Sequence, residues 1–303
     1  MRLVVTGTQG QVARALLECG PRQFTQVIAI GRPSLDLARP LSVERALADV
    51  ECDVIVNAAA YTAVDKAESE EQLAMRINGE GAAALARVAA RRGLPLLHLS
   101  TDYVFDGSLD RPYCESDLVG PIGAYGRSKL AGEIGVVAAH PGAAILRIAW
   151  VYSPFGNNFA RTMLGLAQTR AEVSVVADQR GAPTYAPDIA EALIAIARKL
   201  TSEPDNADLS GLFHMTNSGE ATWADFAEEI FGEAARLGCE PVAVRRIATQ
   251  DYPTPARRPA NSRLSNAKLA RVYGVALPDW RASVRVCVGR LLGERERKQD
   301  EHQ

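Results

Sequence analysis

Five short apolar runs alternate with segments of helical periodicity in the first half of the chain, and this alternation constrains the fold more than any other feature. Each run is continuous rather than alternating, which is typical of strands buried on both faces of a parallel sheet. The runs occupy residues 3–5, 26–30, 53–59, 94–100 and 143–150. The helical segments between them are expected at 11–20, 42–50, 69–93 and 124–133. Repeated strand–helix–strand units predict an α/β fold with a doubly wound parallel sheet.

The pattern changes after about Trp150, where asparagine, proline and glycine become frequent. Further helices are expected at 158–170, 187–200 and 222–237. We therefore expect residues 1–150 to form the core of the sheet domain and residues 151–303 to form mainly a smaller, interleaved C-terminal lobe. Residues 187–216 are expected to return to the sheet.

Composition argues against several classes of protein. The 303 residues carry a formal net charge of −2 with a pI of about 6.2, so no nucleic-acid partner is expected. No apolar run reaches the roughly 18 residues needed to span a membrane, and the N-terminus shows no signal-peptide pattern. The five cysteines lack CxxC spacing, which favours a reduced, cytoplasmic protein. The four histidines show no metal-ligand spacing, so no metal site is expected.

A glycine turn follows the first apolar run directly. Gly7 and Gly10, with Ala13 as a third small residue, have GxxGxxA spacing between a predicted strand and a predicted helix. In the Rossmann type of doubly wound fold, glycines at this turn let the backbone approach a pyrophosphate that rests on the helix N-terminus. The motif predicts a bound dinucleotide, and the alternative is an ordinary strand–helix turn.

The residues after the second apolar run indicate which dinucleotide is bound. A carboxylate here usually marks NAD, through a bond to the ribose 2′-hydroxyl. This chain has Gly31 and Arg32 instead, and a guanidinium suits the 2′-phosphate of NADP. NADPH is therefore the expected cofactor, with NADH accepted less well, and the alternative is that Arg32 is an exposed turn residue. Asp36 follows a few residues later, where it would lie by the adenine.

Tyr125 and Lys129 lie four residues apart in the segment AYGRSKLAGE, residues 124–133. On a helix these positions share one face, and a nearby ammonium is expected to lower the pKa of the phenol. A tyrosine tuned in this way can donate a proton. The spacing alone also arises by chance, but Ser100 and Thr101 end the fourth apolar run and would lie at the same edge of the sheet.

Eight segments that include these residues resemble the extended short-chain dehydrogenase/reductase family over almost the whole chain. The segments are 7–12, 53–68, 100–105, 124–133, 150–152, 156–164, 178–184 and 252–264. The last four are similar to the branch that reduces the C4 ketone of a dTDP-sugar. The resemblance implies that the chain reduces dTDP-4-dehydro-6-deoxy-L-mannose at C4 by hydride transfer from NADPH, as the last step of dTDP-rhamnose synthesis.

The resemblance also implies roles for individual residues. Tyr125 would donate a proton to the C4 oxygen, Lys129 would lower the tyrosine pKa and bind the nicotinamide ribose, and Thr101 would hydrogen-bond the carbonyl. The other residues expected to bind the cofactor are Gly7, Gln9, Gly10, Gln11, Val12, Arg32, Asp36, Leu37, Ala59, Ala60, Tyr61, Thr62 and Ser100. The residues expected to contact the sugar nucleotide are Thr101, Asp102, Tyr103, Trp150, Asn158 and Phe159.

Other members of the family provide the alternatives. A 4,6-dehydratase carries Asp-Glu after the strand-end threonine, whereas this chain has Asp102 and Tyr103. An epimerase or another 4-ketoreductase shares the core motif, and a non-catalytic NADP-binding regulatory subunit shares the fold. Some members are associated with magnesium, but the matching positions here, Ala15 and Pro187, offer no side-chain oxygen, so magnesium dependence is not expected. A monomer or a homodimer is expected.

Overall fold

The computed structural model describes residues 1–23 and 25–300, with side chains described to residue 294. The end of the predicted lobe, residues 301–303, lies outside the described residues. The first half contains β1 (Arg2–Thr6), α1 (Gln11–Arg22), β2 (Gln26–Ile30), α2 (Pro40–Leu47), β3 (Val54–Asn57), α3 (Val64–Ala67), α4 (Glu71–Met75), a π-helical turn (Arg76–Gly81), α5 (Ala82–Arg91), β4 (Leu96–Thr101), a 3₁₀ turn (Asp102–Val104), α6 (Ala124–Ala139) and β5 (Ala144–Ile148). The second half contains β6 (Val151–Tyr152), α7 (Phe159–Leu166), β7 (Glu172–Val176), β8 (Arg180–Gly181), β9 (Thr184–Tyr185), α8 (Ala186–Ser202), a 3₁₀ turn (Ala207–Leu209), β10 (Gly211–His214), β11 (Ala221–Thr222), α9 (Trp223–Arg236), β12 (Ala243–Ile247), a 3₁₀ turn (Thr249–Asp251), α10 (Ala267–Tyr273) and α11 (Trp280–Asp300).

Six parallel strands form the main sheet of the described chain, in the order β2-β1-β3-β4-β5-β10. Each of the five apolar runs overlaps one of these strands, so the predicted doubly wound α/β fold is confirmed. The strand order reverses between β1 and β3. At such a switch point the connections leave in opposite directions and a crevice opens beyond the carboxyl ends of the strands.

Helices cover both faces of the sheet because its strands are apolar on both sides. Leu3 and Val5 of β1 pack into a core with α1 and α8, while Val4 packs into a second core with α2 and α5. The same division holds along β3 and β5. Successive side chains on a strand point to opposite faces, so one continuous apolar run supplies both cores.

A third core lies in the second half of the chain. It gathers buried side chains from α7, α9 and α11 and from the short sheet of β7 and β12, and it includes Phe226 and Trp280. The helices expected at 158–170, 187–200 and 222–237 correspond to α7, α8 and α9, whereas α10 and α11 were not expected. α8 packs against α1, and β10 pairs with β5, so both elements lie on the main sheet.

The long helix expected over 69–93 is interrupted. A π-helical turn at Arg76–Gly81 separates α4 from α5. No helix in the described part of the chain combines the length and the apolar character needed to cross a membrane.

The absence of a side chain at Gly132 lets α6 approach the π-helical turn closely. A Cβ at Gly132 would lie 2.2 Å from the Asn78 carbonyl oxygen, whereas a Cβ at Gly232 on α9 would meet no described atom within 4 Å. We expect Gly132→Ala to lower the free energy of unfolding by about 1–3 kcal/mol, because overpacking forces the backbone to shift. The matched control Gly232→Ala should raise it by roughly 0.5–1 kcal/mol. Urea unfolding followed by circular dichroism measures both, and equal effects would contradict the close approach at Gly132.

Candidate active site

Polar side chains join the carboxyl ends of β1 and β3 at the switch point. The Thr6 hydroxyl donates to Asn57 Oδ1 at 2.7 Å and accepts from the N–H groups of Ala58 and Ala59 at 3.1 and 3.0 Å. Thr6 and Asn57 are both buried. The two strand ends are therefore fixed relative to each other where a dinucleotide is expected to cross the sheet.

The glycine turn has the conformation that its motif requires. Gly7 has a φ of +88°, which glycine adopts without strain, and its N–H donates to the Ile30 carbonyl at 2.7 Å. Gly10 is the N-cap residue of α1, and no described side chain caps this helix end. Gln9 and Gly10 are exposed, while Val12 is buried in the core below. The N–H groups at the start of α1 are thus open to an approaching anion.

The side chain of Gln11 links the glycine turn to the second half of the chain. Its Oε1 accepts from the Ser153 hydroxyl at 2.7 Å and from Asn158 Nδ2 at 3.1 Å, and its Nε2 donates to the Val151 carbonyl at 3.3 Å. Asn158 Oδ1 also accepts from the Arg161 N–H and so caps α7. Both side chains, predicted to contact cofactor and substrate, are engaged in holding the two parts of the protein together.

The segment after β2 holds the residues predicted to select the dinucleotide. Arg32 is exposed, and the described residues provide it with no ion-pair partner. Asp36 Oδ1 accepts from the Ala38 N–H at 3.0 Å, which uses part of its carboxylate in the local turn. Leu37 is buried in the core that contains α2 and α5. The Arg32 guanidinium therefore remains available for a 2′-phosphate.

Asn78 was not identified from the sequence, yet it joins the predicted cofactor loop to α6. The Tyr61 N–H donates to Asn78 Oδ1 at 2.8 Å, and Asn78 Nδ2 donates to the Tyr61 carbonyl at 3.0 Å and to the Ser128 hydroxyl at 2.9 Å. Asn78 lies on the π-helical turn and is buried. The other residues predicted in this loop are at least partly accessible, namely Ala59, Ala60 and Thr62.

The three residues predicted to be catalytic meet around the end of β4. Tyr125 lies partly accessible in the first turn of α6, with its phenol close to the Thr101 side chain. Its ring packs edge-on against Tyr103, with the ring centroids 5.5 Å apart. Lys129 lies one turn later, is buried, and donates from Nζ to the Leu99 carbonyl at 2.6 Å.

The pKa of Tyr125 differs from the prediction. Burial raises the pKa of the phenol above its usual range, and this outweighs the lowering by the nearby Thr101 side chain. Lys129 does not contribute to this shift, because its ammonium is directed to the Leu99 carbonyl, and its predicted lowering of the phenol pKa stays a prediction. Burial lowers the pKa of Lys129 itself to about 8, against an opposing effect of Glu133.

Asp102 lies buried directly beyond β4. Its Oδ1 accepts from the Thr101 hydroxyl at 3.0 Å, and burial raises the pKa of its carboxyl to about 6. The Thr101 hydroxyl is thereby oriented toward Asp102.

The segment 252–264 contacts the same site from the second half of the chain. Arg258 Nη2 donates to Asp65 Oδ2 at 2.9 Å, and the Tyr103 side chain lies close enough to contribute to raising the pKa of the guanidinium. The Ala256 N–H donates to Asp65 Oδ1 at 3.2 Å. Tyr103, predicted to contact the substrate, is thus held between α6 and this segment.

The Ser100 side chain is directed into the protein interior. Its hydroxyl donates to Glu133 Oε1 at 2.5 Å, and the Glu133 carboxylate also accepts from Arg147 Nε and Nη2 at 2.8 and 2.6 Å. All three side chains are buried. The hydroxyl of Ser100, predicted to bind the cofactor, belongs instead to a buried ionic network.

An aromatic cluster lies just beyond the end of β5. The Trp150 ring stacks on Trp223 with the centroids 3.7 Å apart and the planes at 10°, and the Phe159 ring lies 4.8 Å from Trp223. A Cβ at Gly181 would lie 2.4 Å from Trp150 Cε2, so the indole also packs on bare backbone. Trp223 was not identified from the sequence, and it covers one face of the indole that was predicted to contact the sugar.

In the part of the chain that the structure describes, no three or more His, Cys, Asp or Glu side chains are grouped so that they could hold a metal ion. Ala15 is buried in the core between α1 and the sheet, and Pro187 lies in the first turn of α8. The two positions matched to magnesium ligands thus offer no side-chain oxygen.

The chain as a whole is similar to a known family. Residues 1–292 match the family described as RmlD substrate binding domain. The chain belongs to this family. A relative from Sinorhizobium fredii, a dTDP-4-dehydrorhamnose reductase, is 51% identical over 294 residues, which cover 97% of this chain and 99% of that protein.

Two solved structures of dTDP-4-dehydrorhamnose reductases superpose over nearly the full chain. The protein from Clostridium acetobutylicum has a TM-score of 0.87 and 37% identity, covering 96% of this chain and 100% of that one. The protein from Bacillus anthracis, solved in complex with NADP, has a TM-score of 0.86 and 34% identity, covering 94% of this chain and 98% of that one. The RmlD-type match therefore includes both the sheet domain and the C-terminal lobe.

Asp102 makes the stability of this RmlD-family protein depend on pH. Its folded-state pKa of about 6 exceeds the roughly 3.9 of an unfolded chain, so its stabilising contribution is present at low pH and lost as the pH rises from about 4 to about 6. Asp102→Asn mimics the protonated carboxyl. We expect its free energy of unfolding to match that of the wild type near pH 4 and to exceed it by about 1–3 kcal/mol near pH 7. Urea titrations at both pH values measure this, and a difference that does not change with pH would contradict the raised pKa.

Proposed function

We propose that the chain reduces dTDP-4-dehydro-6-deoxy-L-mannose (dTDP-4-dehydrorhamnose) at C4 to dTDP-L-rhamnose, with NADPH as the reductant. The observation that carries the proposal is the convergence of Thr101, Tyr125 and Lys129 at the carboxyl edge of the sheet. This convergence occurs in a chain that is 51% identical, over nearly its full length, to a dTDP-4-dehydrorhamnose reductase. The reaction would be the last step of dTDP-rhamnose synthesis.

The residues at the switch point fit a bound NADPH. The uncapped start of α1 and the exposed Gly10 suit a pyrophosphate, which needs N–H donors and close backbone approach. The exposed Arg32 suits the additional 2′-phosphate. Tyr61, fixed by Asn78, and the buried Lys129 would hold the nicotinamide end. When bound, the nicotinamide supplies a hydride to the C4 carbon of the sugar.

The protein's own residues supply the proton and the orientation. Tyr125 would pass its phenolic proton to the C4 oxygen as that oxygen gains negative charge. Thr101 lies beside the phenol, and its hydroxyl donates to Asp102. The raised pKa of Tyr125 keeps the phenol protonated at neutral pH, and the Lys129 ammonium would stabilise the phenolate that forms.

We also propose how the two parts of the chain divide the work. Residues 1–150, together with 187–216, would bind the dinucleotide, and the rest of the C-terminal lobe would bind the dTDP-sugar. Tyr103, Trp150 and the Phe159 ring would line the sugar site, while Gln11 and Asn158 hold the parts together. Magnesium is not part of the proposed site. We also propose that the enzyme is cytoplasmic, which is supported by the free cysteines of the described chain. We propose that it is a monomer or a homodimer.

The proposal is tested by the reduction itself. Purified protein is mixed with NADPH and dTDP-4-dehydro-6-deoxy-L-mannose, and the loss of absorbance at about 340 nm is followed. Stoichiometric NADPH oxidation with formation of dTDP-L-rhamnose supports the function. NADPH binding without turnover on any 4-keto dTDP-sugar would favour a regulatory subunit, and turnover only on a different 4-keto sugar would favour another 4-ketoreductase.

Tyr125→Phe should remove the proton donor and leave the site otherwise intact. We expect kcat to fall by about 10²–10⁴, the usual share of general acid catalysis, with NADPH affinity unchanged. Steady-state kinetics and NADPH fluorescence titration measure the two quantities. A kcat within threefold of wild type would show that another group delivers the proton.

Arg32→Ala should weaken NADPH selectively. Loss of a charge-assisted phosphate contact should raise the KM for NADPH by roughly 10- to 100-fold and leave the KM for NADH nearly unchanged. Arg45→Ala, at an exposed position on α2, is the matched control and should change neither value. Equal effects of Arg32→Ala on both cofactors would mean that Arg32 does not meet the 2′-phosphate.

A further inference from the structure

Three charged side chains lie buried together beneath the candidate active site. Lys129 and Glu133 on α6 are each 3% exposed, and Arg147 on β5 is 1% exposed. Two of these groups are cations and one is an anion. Burying charge costs free energy unless the charge is compensated. Glu133 forms an ion pair with Arg147, and its charge also opposes the lowering of the Lys129 pKa by burial.

The Glu133 carboxylate is held rigidly in this position. Arg147 donates to it from both Nε and Nη2, at 2.8 and 2.6 Å, in the bidentate geometry that gives strong and specific ion pairs. The Ser100 hydroxyl donates to it at 2.5 Å from the neighbouring strand, where Ser100 lies opposite Arg147 in the register. Three bonds from two strands therefore fix the negative charge one helical turn beyond Lys129.

The surroundings of Lys129 leave few groups that can change charge. On α6 it is flanked by Tyr125 and Glu133. From β4 it faces His98, which burial and Lys129 keep neutral by lowering its pKa well below the usual range. Asp102 follows β4, and burial raises the pKa of its carboxyl to about 6, so it is largely ionised at neutral pH.

The strands beyond β4 supply a permanent charge. Arg147 on β5 cannot lose its proton, and His214, opposite Arg147 on β10, is kept neutral by burial, which lowers its pKa to about 3. Among the described groups around this cluster, Lys129 is therefore the cation that can respond to a lost compensating charge by giving up its proton.

On the basis of the proposed function, we propose that Glu133, clamped by Arg147 and Ser100, is a positioning residue that keeps the Lys129 ammonium charged and in place for the reduction. Glu133 acts through Lys129 and not on the substrate. Without its charge, the ammonium would share a buried site with the permanent charge of Arg147 and would lose its proton at a lower pH. Burial already lowers the pKa of Lys129 to about 8, so a further decrease would discharge it near neutrality.

Glu133→Gln tests this directly, because glutamine keeps the size and an acceptor for Arg147 and Ser100 but removes the charge. The full-length protein is labelled with ¹³C-lysine, and the titration of each lysine signal is followed by NMR. Assignment is practical because the chain has five lysines, Lys66, Lys129, Lys199, Lys268 and Lys298. The signal that disappears in Lys129→Arg belongs to Lys129.

The sign of the shift separates a charge effect from a loosened structure. In Glu133→Gln, we expect the proton dissociation constant of Lys129 to increase at least about tenfold, which moves the titration midpoint to lower pH. A loosened structure would admit water and move the midpoint up toward roughly 10.4. Arg147→Met, which removes the competing cation, should move it to higher pH. If the titration midpoint of Lys129 is unchanged or higher in Glu133→Gln, the proposal is overturned. If Glu133→Gln does not fold, an unchanged or lower midpoint of Lys129 in Arg147→Met overturns it.

The reduction gives a second readout. Because the protonated lysine is the active form, kcat/KM falls as the pH rises through the pKa of Lys129. In Glu133→Gln this fall should begin at lower pH, so that kcat/KM near pH 8 drops at least about fivefold while the value near pH 6 stays within about threefold of wild type. Equal losses at both pH values would make Glu133 merely structural. If the wild type reduces no substrate at any pH, the proposed function fails, and the Lys129 titration still decides the role of Glu133.

Discussion

The close approach of α6 to its neighbours is the constraint on which the candidate active site depends. A Cβ at Gly126 would lie 2.2 Å from the Tyr103 carbonyl oxygen, and one at Gly132 would lie 2.2 Å from the Asn78 carbonyl oxygen. Because neither position carries a side chain, α6 can bring its tyrosine to the end of β4 and its lysine beneath that strand. The same contact lets Asn78 reach both the loop after β3 and the start of α6. The geometry of the site thus rests on backbone contact as much as on side-chain packing.

The sequence predicted the parts of the fold whose cause is local. Continuous apolar runs predict buried parallel strands, since both faces of the sheet are covered, and these predictions are confirmed. The π-helical turn was not predicted, because its buried Asn78 depends on partners 17 and 50 residues away, Tyr61 and Ser128. α11 was not predicted either, although its buried residues recur at helical spacing: Trp280, Val284, Cys287, Val288 and Leu291. Charged residues lie between them in the sequence, and the core into which they pack forms only when the chain folds.

The features of the candidate site can likewise be divided into those that the sequence predicted and those that it did not. The tyrosine, lysine and strand-end threonine were predicted from spacing and from their places on strand and helix, and their catalytic roles stay predictions. The direction of the Tyr125 shift was not predictable, since it depends on burial and on where Lys129 points. Ser100 was placed correctly at the end of β4, but alternation along the strand turns its hydroxyl toward Glu133. Trp223 comes from α9, and its contact with Trp150 arises only when the lobe folds onto the sheet domain.

The stacking of Trp150 on Trp223 also explains an unusual backbone conformation at Trp150. Trp150 has a φ of +47°, a conformation that costs a bulky residue on the order of 1–3 kcal/mol unless its surroundings hold it there. The ring stacks on Trp223 and packs on Gly181, while the Trp150 carbonyl accepts from the Thr184 N–H at 3.1 Å. All three contacts come from the second half of the chain. The strain therefore lies where β5 ends and the chain turns out of the sheet, and the lobe maintains it. Because Gln11 ties the same lobe to the glycine turn, a shift of the lobe would disturb the indole and the predicted pyrophosphate site together.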